Sequence, residues 1–238
     1  VREHKMLKKI VREQGITQVI SDNRFGLWNK HVHTVYITHQ LMIKMPKKHK
    51  WLEPIVWLLH RFIINRYNEC WIPDFPEDGG LSGDLAHKYR LPRNAKFIGP
   101  LSRFTASVPE ENTAFETVAV ISGPEPQRSL FENILMKQLQ KQLFPSLIVR
   151  GTPSDNKTFT RVGNVTLVSH LSAKDLLPYL LGASIIICRS GYSSVMDLYA
   201  IGRTALLVPT PGQTEQEYLA EYLQGKGFQY KKQEELGF

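Results

Sequence analysis

Hydrophobic positions along the chain fall into short runs of β-branched and aliphatic residues, separated by longer stretches with helical spacing. Residues 1–14 carry a helical pattern. "TQVIS" (17–21) and "TVYITHQ" (34–40) read as strands, the second followed by a basic loop, "KMPKKHK". Residues 51–67, "WLEPIVWLLHRFIINRY", predict an apolar helix with Pro54 in its first turn, where no N–H is needed. "ECWIP" and "AKFIGP" predict two further short strands. The polar stretch 101–114, with Pro109 and "EENT", breaks the alternation and predicts a domain boundary, giving domains 1–105 and 106–238.

Beyond that boundary the alternation is cleaner. "ETVAVIS" (116–122), "SLIVRG", "NVTLVS", "ASIIICRSG" and "TALLVPT" read as strands, and 127–143 as a helix. "SAKDLLPYLLG" opens on Ser172 with Asp175 three residues later, a capping-box-like helix start. The strands are continuous Val/Ile runs rather than alternating ones, which predicts a parallel sheet buried on both faces. Strand–helix alternation makes the fold class α/β, doubly wound.

Composition adds three constraints. At 42% hydrophobic and 22% charged, 238 residues are ordinary globular material for one large or two small domains. No apolar run reaches the roughly 18 residues of a membrane span. The two cysteines, Cys70 and Cys188, lack metal-ligand spacing and read as buried free thiols suited to a reducing cytoplasm. A net charge of +8 favours acidic partners, whether nucleic acid, phosphorylated ligands or an anionic membrane surface, with a solvated basic face as the plain alternative. The opening "VREHKMLKKIVREQG" has a charged, helix-like pattern unlike a signal sequence, and the missing initiator Met suggests a piece of a longer protein.

Candidate chemistry gathers at two turns. "IIIC" stops at Arg189-Ser190-Gly191-Tyr192-Ser193, and "TALLVP" stops at "TPGQTEQEYLA". In open parallel sheets ligands bind beyond the carboxyl ends of the strands. Gly191 suits close backbone approach or positive φ, Ser193 and Ser194 suit capping, and the helix start suits phosphate. Asp197, about a turn onward, suits ribose hydroxyls. Gln213, Thr214, Glu215, Gln216 and Glu217 offer polar groups for a sugar. Each turn alone is also an ordinary strand–turn–helix connection. The pair, with a third turn at Ser122-Gly123, favours a nucleotide-sugar cleft.

At these residues the chain resembles GT-B glycosyltransferases. "CRSGYSSVMDLYAIGRTALLVPTPGQTEQEYLA" is similar to the donor-binding half of the family 28 enzymes that attach N-acetylglucosamine to lipid I. The resemblance covers roughly 95–230 well and 15–95 weakly. It implies two Rossmann-like domains, the first incomplete, since the family's opening glycine-rich loop and closing helix are absent. Asp197 matches the ribose-binding acid, and Glu215 and Gln216 the paired glutamines near the donor sugar. Ser190 and Gly191 match the turn near the diphosphate, and Ser122-Gly123-Pro124 a phosphate loop from which Pro124 removes one donor. Arg103 matches an arginine at the interdomain junction, and Ser169 and His170 the place whose backbone meets the uracil. "SDNRFG" and "THQL" match acceptor-side loops, making Asp22, Asn23, Arg24, His39 and Gln40 candidates there.

The implied activity is a metal-independent hexosyl transfer from a UDP-linked sugar to an acceptor hydroxyl, with no further cofactor. Arg189, Arg103 and the helix near Ser193 are expected to stabilise the leaving charge, and His39 or Asp22 to take the acceptor's proton. "IKMPKKHKWLEPIVWLLHRFIINR" suits an anionic membrane surface, which admits a lipid-linked, cell-envelope acceptor at the inner face of the plasma membrane. Two other readings stand beside this one: a nucleotide-sugar hydrolase or epimerase on the same fold, and a basic nucleic-acid-binding protein. The chain lacks the aromatic-and-basic motif of common RNA modules, which counts against the latter.

Overall fold

The computed structural model describes residues 2–104, 110–153 and 158–236. The chain divides into two compact units, Val1–Leu101 and Ser102–Phe238. The boundary predicted after residue 105 falls outside the described residues. Both units are α/β.

In the first unit, α1 (Arg2–Gln14) precedes β1 (Gln18–Asp22) and β2 (His33–Ile37). A 3-10 segment (Lys47–Leu52) runs into α2 (Glu53–Ile64), followed by β3 (Glu69–Ile72), α3 (Asp84–His87) and β4 (Ala95–Phe97). Among the described residues the sheet is parallel in the order β1-β2-β3-β4. Tyr36, Leu41, Ile64, Tyr67, Cys70, Ile72 and Ala86 form its core. The helix predicted over 51–67 is shorter because its first residues form the 3-10 turn; Pro54 sits in the first α-turn, as expected. The strand predicted over 34–40 ends at Ile37. There the Thr38 hydroxyl accepts the Gln40 N–H at 3.0 Å and turns the chain.

Two buried polar groups organise this unit. Asp74, just past β3, is fully buried. Its carboxylate accepts the Phe75 N–H at 2.8 Å, the Leu81 N–H at 2.7 Å and the Ser82 N–H at 3.0 Å, so loop 75–82 wraps around it. Gly80 (φ +50°) completes that wrap, since a Cβ there would lie 2.3 Å from Asp74 Oδ1. His60 is buried with Nε2 3.2 Å from the Tyr36 hydroxyl and Nδ1 3.3 Å from the Leu41 carbonyl. Burial pushes its imidazole below the ordinary histidine value.

The second unit carries β5 (Thr117–Val120), α4 (Gln127–Leu139), β6 (Ser146–Val149), β7 (Phe159–Val162), β8 (Val165–Val168) and α5 (Ala173–Gly182). It continues with β9 (Ile185–Cys188), α6 (Tyr192–Ala200), β10 (Leu206–Leu207), α7 (Thr214–Leu223) and β11 (Gln229–Tyr230). The sheet order is β11-β10-β9-β5-β6-β8-β7, parallel except for the β7–β8 hairpin. Sequence patterning missed β7, which is exposed along its length. Its signal was the two-residue Gly163-Asn164 connection, a hairpin turn in which Gly163 supplies φ +65°. The Ser172 hydroxyl accepts the Asp175 N–H at 3.2 Å and caps α5, as predicted.

The predicted parallel pattern holds where it matters: β10, β9 and β5 are neighbours, so their carboxyl ends lie side by side. One residue ties those ends together. Arg189, directly after β9, is only 1% exposed. Its Nη1 donates to the Val208 carbonyl at 3.2 Å and the Pro209 carbonyl at 3.1 Å. Its Nη2 donates to the Gln127 carbonyl at 3.2 Å and to Gln233 Oε1 at 2.7 Å. The guanidinium lies 3.9 Å from the centre of the Phe131 ring, a cation–π contact. Burial lowers its pKa to about 10, so it stays charged at neutral pH. Gly151 fixes the neighbouring β6 turn: at φ +69°, its Cβ would lie 2.4 Å from the Ile121 carbonyl oxygen.

Two stability predictions follow from these buried groups. Arg189→Met leaves several inward-facing carbonyls without a donor and is expected to cost about 3 kcal/mol, read as a lower urea midpoint for the second unit; a loss under about 1 kcal/mol would remove Arg189 from this role. For His60, the folded state resists protonation while the unfolded chain accepts a proton near pH ~6.5. The histidine's stabilising share is therefore present above that pH and lost as pH falls through it. Melting temperature is expected to decline between about pH 7 and pH 5, and His60→Gln to decline less. Equal declines in both proteins would refute the assignment.

Candidate functional site

In the second unit, three turns at the carboxyl ends of adjacent strands each lead into a helix, and their chemistry differs. Between β5 and α4 the turn is Ser122-Gly123-Pro124-Glu125-Pro126. Glu125 folds back onto the first turn of α4, accepting the Ser129 N–H at 3.3 Å and the Ser129 hydroxyl at 2.9 Å, and pairs with Arg128. The Ser129 hydrogen bond and Arg128 hold this carboxyl below the usual range. A negative charge thus already occupies that helix end. The phosphate role predicted for Ser122 and Gly123 is corrected on this ground: both are exposed, but an anion would meet Glu125.

Between β9 and α6 the turn is Arg189-Ser190-Gly191. Gly191 is the N-cap of α6 with φ −72°, in ordinary extended geometry, and the helix begins at Tyr192 without a side-chain cap. Two expectations change here. Ser193 and Ser194 lie inside the first turn rather than capping it, and Gly191 does not supply positive φ. A Cβ at Gly191 would meet nothing within 4 Å, so the protein itself does not need glycine there. The close approach predicted for Gly191 is left to a ligand on the open side. Arg189 is the third correction: with both terminal nitrogens committed to carbonyls and Gln233, it faces inward and cannot carry the leaving charge.

Between β10 and α7 the polar groups fold onto their own loop. Gln213 is the N-cap of α7 without a side-chain bond. Gln216 Oε1 accepts the Thr210 N–H at 2.8 Å, and Glu217 Oε1 accepts the Gly212 N–H at 2.9 Å. The Ser190 hydroxyl donates to the Gln216 carbonyl at 2.8 Å, stitching this turn to the previous one. Thr214 and Glu215 sit half-buried in the first turn of α7. The starts of α6 and α7, neither with a side-chain cap, thus stand on neighbouring strands; α6 has no acid in its first turn, whereas Glu215 and Glu217 stand in that of α7.

Asp197 lies in the second turn of α6. Its Oδ1 accepts the Ser102 hydroxyl at 2.8 Å and the Arg103 N–H at 3.1 Å, and its Oδ2 pairs with Arg103 Nε at 2.9 Å. Asp197 and Arg103, 94 positions apart in sequence, are therefore partners. Ser169 and His170 follow β8, three strand spacings from β9, which is about 14 Å along the edge. The Ser169 carbonyl accepts the Thr152 N–H at 2.9 Å. Two arginines that sequence reading missed stand nearer: Arg128 in the first turn of α4 and Arg150 after β6, bridged by Glu132, which pairs with Arg150 Nε at 2.8 Å. Their signal was position alone, a basic residue just after a predicted strand or helix start.

In the first unit, the acceptor-side candidates gather at the ends of β1 and β2. Asp22 closes β1 and is exposed; His39 and Gln40 follow β2 and are half-buried. Asn23, at φ +52°, accepts the Tyr36 hydroxyl at 3.0 Å and the Thr38 hydroxyl at 3.2 Å on its side-chain oxygen. That oxygen therefore joins the two loops rather than facing a ligand. Arg24 pairs with Glu3 at 3.2 Å. Sequence reading also missed His87, whose Nε2 lies 3.2 Å from the buried Asp74 carboxylate and whose ring stacks on Phe97. Among the described residues, no three His, Cys, Asp or Glu side chains are grouped to hold a metal ion. Nor is any helix long and apolar enough to cross a membrane.

Comparison with known proteins agrees with this geometry. A UDP-N-acetylglucosamine--N-acetylmuramyl-(pentapeptide) pyrophosphoryl-undecaprenol N-acetylglucosamine transferase of Histophilus somni (strain 129Pt) is 31% identical over 157 residues, 58% of this chain and 43% of that protein. A protein of the same name from Methylorubrum extorquens (strain PA1) is 47% identical over 47 residues, 20% of this chain and 13% of that one. The chain thus spans under half the length of these curated relatives. Among solved structures, the glycosyltransferase of kitacinnamycin superposes with a TM-score of 0.61 at 13% identity, over 99% of this chain and 68% of that one. SnogD from Streptomyces nogalater gives 0.60 at 13%, over 96% and 64%. Acinetobacter baumannii MurG gives 0.52 at 12%, over 98% and 65%. These likenesses establish the GT-B type of α/β fold. Residues 117–235, half of the chain, match the glycosyltransferase family 28 C-terminal domain, and the chain belongs to that family.

Proposed function

We propose that the protein transfers a hexose from a UDP-linked sugar to an acceptor hydroxyl, with the second unit holding the donor. One observation carries this reading: within a family 28 C-terminal domain, the uncapped starts of α6 and α7 share one sheet edge with the Arg103–Asp197 pair. The start of α6 and Arg103 suit the diphosphate, the amide nitrogen of Gln216 at the acidic start of α7 suits a sugar hydroxyl, and the backbone at Ser169 and His170 suits a base. In the step itself, the acceptor oxygen bonds to the anomeric carbon as that carbon's bond to the diphosphate oxygen breaks. A base takes the acceptor's proton, and UDP departs with the bonding pair. The positive start of α6 and Arg103 would meet the leaving charge without a resident metal ion.

The curated relatives are named for transfer onto a pyrophosphoryl-undecaprenol acceptor, which supports a lipid-linked acceptor here. A surface of the first unit supports it independently. Trp51, Ile55, Leu58, Leu59 and Phe62 are exposed on one face of α2 and the turn before it, with Lys48, Lys50 and Arg61 close by in the chain. An apolar face with a basic surround suits peripheral contact with an anionic leaflet.

Calorimetric titration with UDP and UDP-N-acetylglucosamine is expected to show binding of both, and Gly191→Ala to weaken it at least about tenfold while costing no more than about 1 kcal/mol of stability. Absence of any UDP binding would overturn the donor-site reading. The membrane reading is checked by co-sedimentation with phosphatidylglycerol-containing vesicles. Wild type is expected to pellet with them at low salt, and the double variant Leu59→Glu, Phe62→Glu to stay in the supernatant. Equal pelleting of the two proteins would remove α2 from that role.

A further inference from the structure

The carboxylate of Asp197 has its coordination nearly filled by the protein itself. Oδ1 accepts two hydrogen bonds, from the Ser102 hydroxyl and the Arg103 N–H, and Oδ2 accepts one from Arg103 Nε. A carboxylate has about four lone-pair sites, so one remains open. A ribose diol offers two donors and needs two acceptor sites. It cannot bind Asp197 in full unless one existing partner leaves.

The three partners are not equally bound. Asp197 is 8% exposed, and the Ser102 hydroxyl that reaches it also accepts the Phe104 N–H at 3.0 Å. Phe104 is buried over a cavity of about 20 Å³ that Val120, Cys188 and Ser194 help to line. Releasing Ser102 or the Arg103 N–H would unseat this packed segment. The Arg103 side chain, by contrast, is 53% exposed, and only its Nε holds the carboxylate. A half-exposed ion pair is worth little, so this is the contact that yields at least cost. Its guanidinium keeps its terminal N–H groups in a planar fork that fits phosphate oxygens.

We propose that Arg103 and Asp197 form a nucleotide-operated latch. The ribose diol takes over Asp197 Oδ2, and the displaced Arg103 guanidinium moves onto the diphosphate of the same ligand. Arg103 is thereby a specificity-determining residue: a nucleoside must open the latch without giving the guanidinium a new anion, whereas a nucleoside diphosphate supplies one. The inference rests on the reading of the second unit as the donor site, and it makes a demand that reading does not. Removing the guanidinium acts in opposite directions on the two ligands.

Calorimetric titration of the full chain with uridine and with UDP tests this, comparing wild type, Arg103→Ala and Arg103→Gln. The expected result is UDP weakened about tenfold or more in both variants, and uridine tightened about threefold. Melting temperatures within a few degrees of wild type, as expected for a half-exposed side chain, show that the fold is kept, and Arg103→Gln stands in if the alanine variant unfolds. Uridine affinity unchanged or weakened by both variants overturns the latch while UDP binding by the wild type keeps the donor-site reading. Failure of the wild type to bind either ligand overturns both.

Discussion

The geometry of the second unit's carboxyl edge depends on a buried charge held through its two terminal nitrogens. Placing a guanidinium at 1% exposure costs several kcal/mol in desolvation unless its donors are matched and its charge is compensated. Arg189 meets that demand at both terminal nitrogens, with carbonyls from the end of β10 and the start of α4 and the amide of Gln233, and at the face of Phe131, while its Nε is left without a partner. Those partners come from segments far apart in sequence. Each is a turn or helix start at the carboxyl edge of the sheet, so the requirement to satisfy one cation fixes their mutual positions. The α6 start, which follows Arg189 by three residues, inherits that fixed frame.

This explains why an arginine beside a candidate phosphate site is not that site's cation. A phosphate ligand needs N–H groups directed outward, and every placed Nη donor of Arg189 is directed inward. A half-exposed cation at this edge is Arg103, which sequence places outside the strand–turn–helix pattern altogether. It reaches the same edge through Asp197, because residues 102–104 pack against α6. The cation proposed to meet a ligand is thus one the local motif does not contain.

The same contrast marks what was legible in the sequence. "SIIIC" and "TALLV" announce a parallel core because an uninterrupted β-branched run has no solvent face to satisfy, and the structure sets β9 and β10 side by side. Ser172 announces its helix because capping is decided within four residues. What escaped was decided at long range. Whether Arg189 faces solvent depends on residues 127, 208, 209 and 233, and whether Asp74 is a surface acid or the hub of a loop depends on the path of residues 75–87. Gly191 misled for a different reason: glycine's freedom permits positive φ but does not require it, and the backbone there chose an ordinary conformation. In Glu125 a short-range effect was overlooked, since an acid two residues before a helix offers itself to the first turn and displaces the anion that turn would otherwise attract.

Across the second unit, the polar groups at the candidate site already have protein partners. Gln216 holds Thr210, Glu217 holds Gly212, Ser190 holds the Gln216 carbonyl and Asp197 holds Ser102 and Arg103. Those side chains differ from the open starts of α6 and α7, whose backbone donors a ligand would fill by capture. For the partnered side chains binding would be an exchange, in which a ligand group replaces an existing partner and the net gain is the difference between two similar interactions. Exchange lowers affinity for any fragment of the ligand, because a fragment breaks contacts without replacing all of them. It raises selectivity for the whole ligand, because only a molecule carrying both hydroxyls and phosphates can restore what it disrupts. Side chains that already have partners spare the unliganded fold the cost of orphaned polar groups at those positions, a cost the second unit does bear at Gln127 Oε1 and Arg189 Nε.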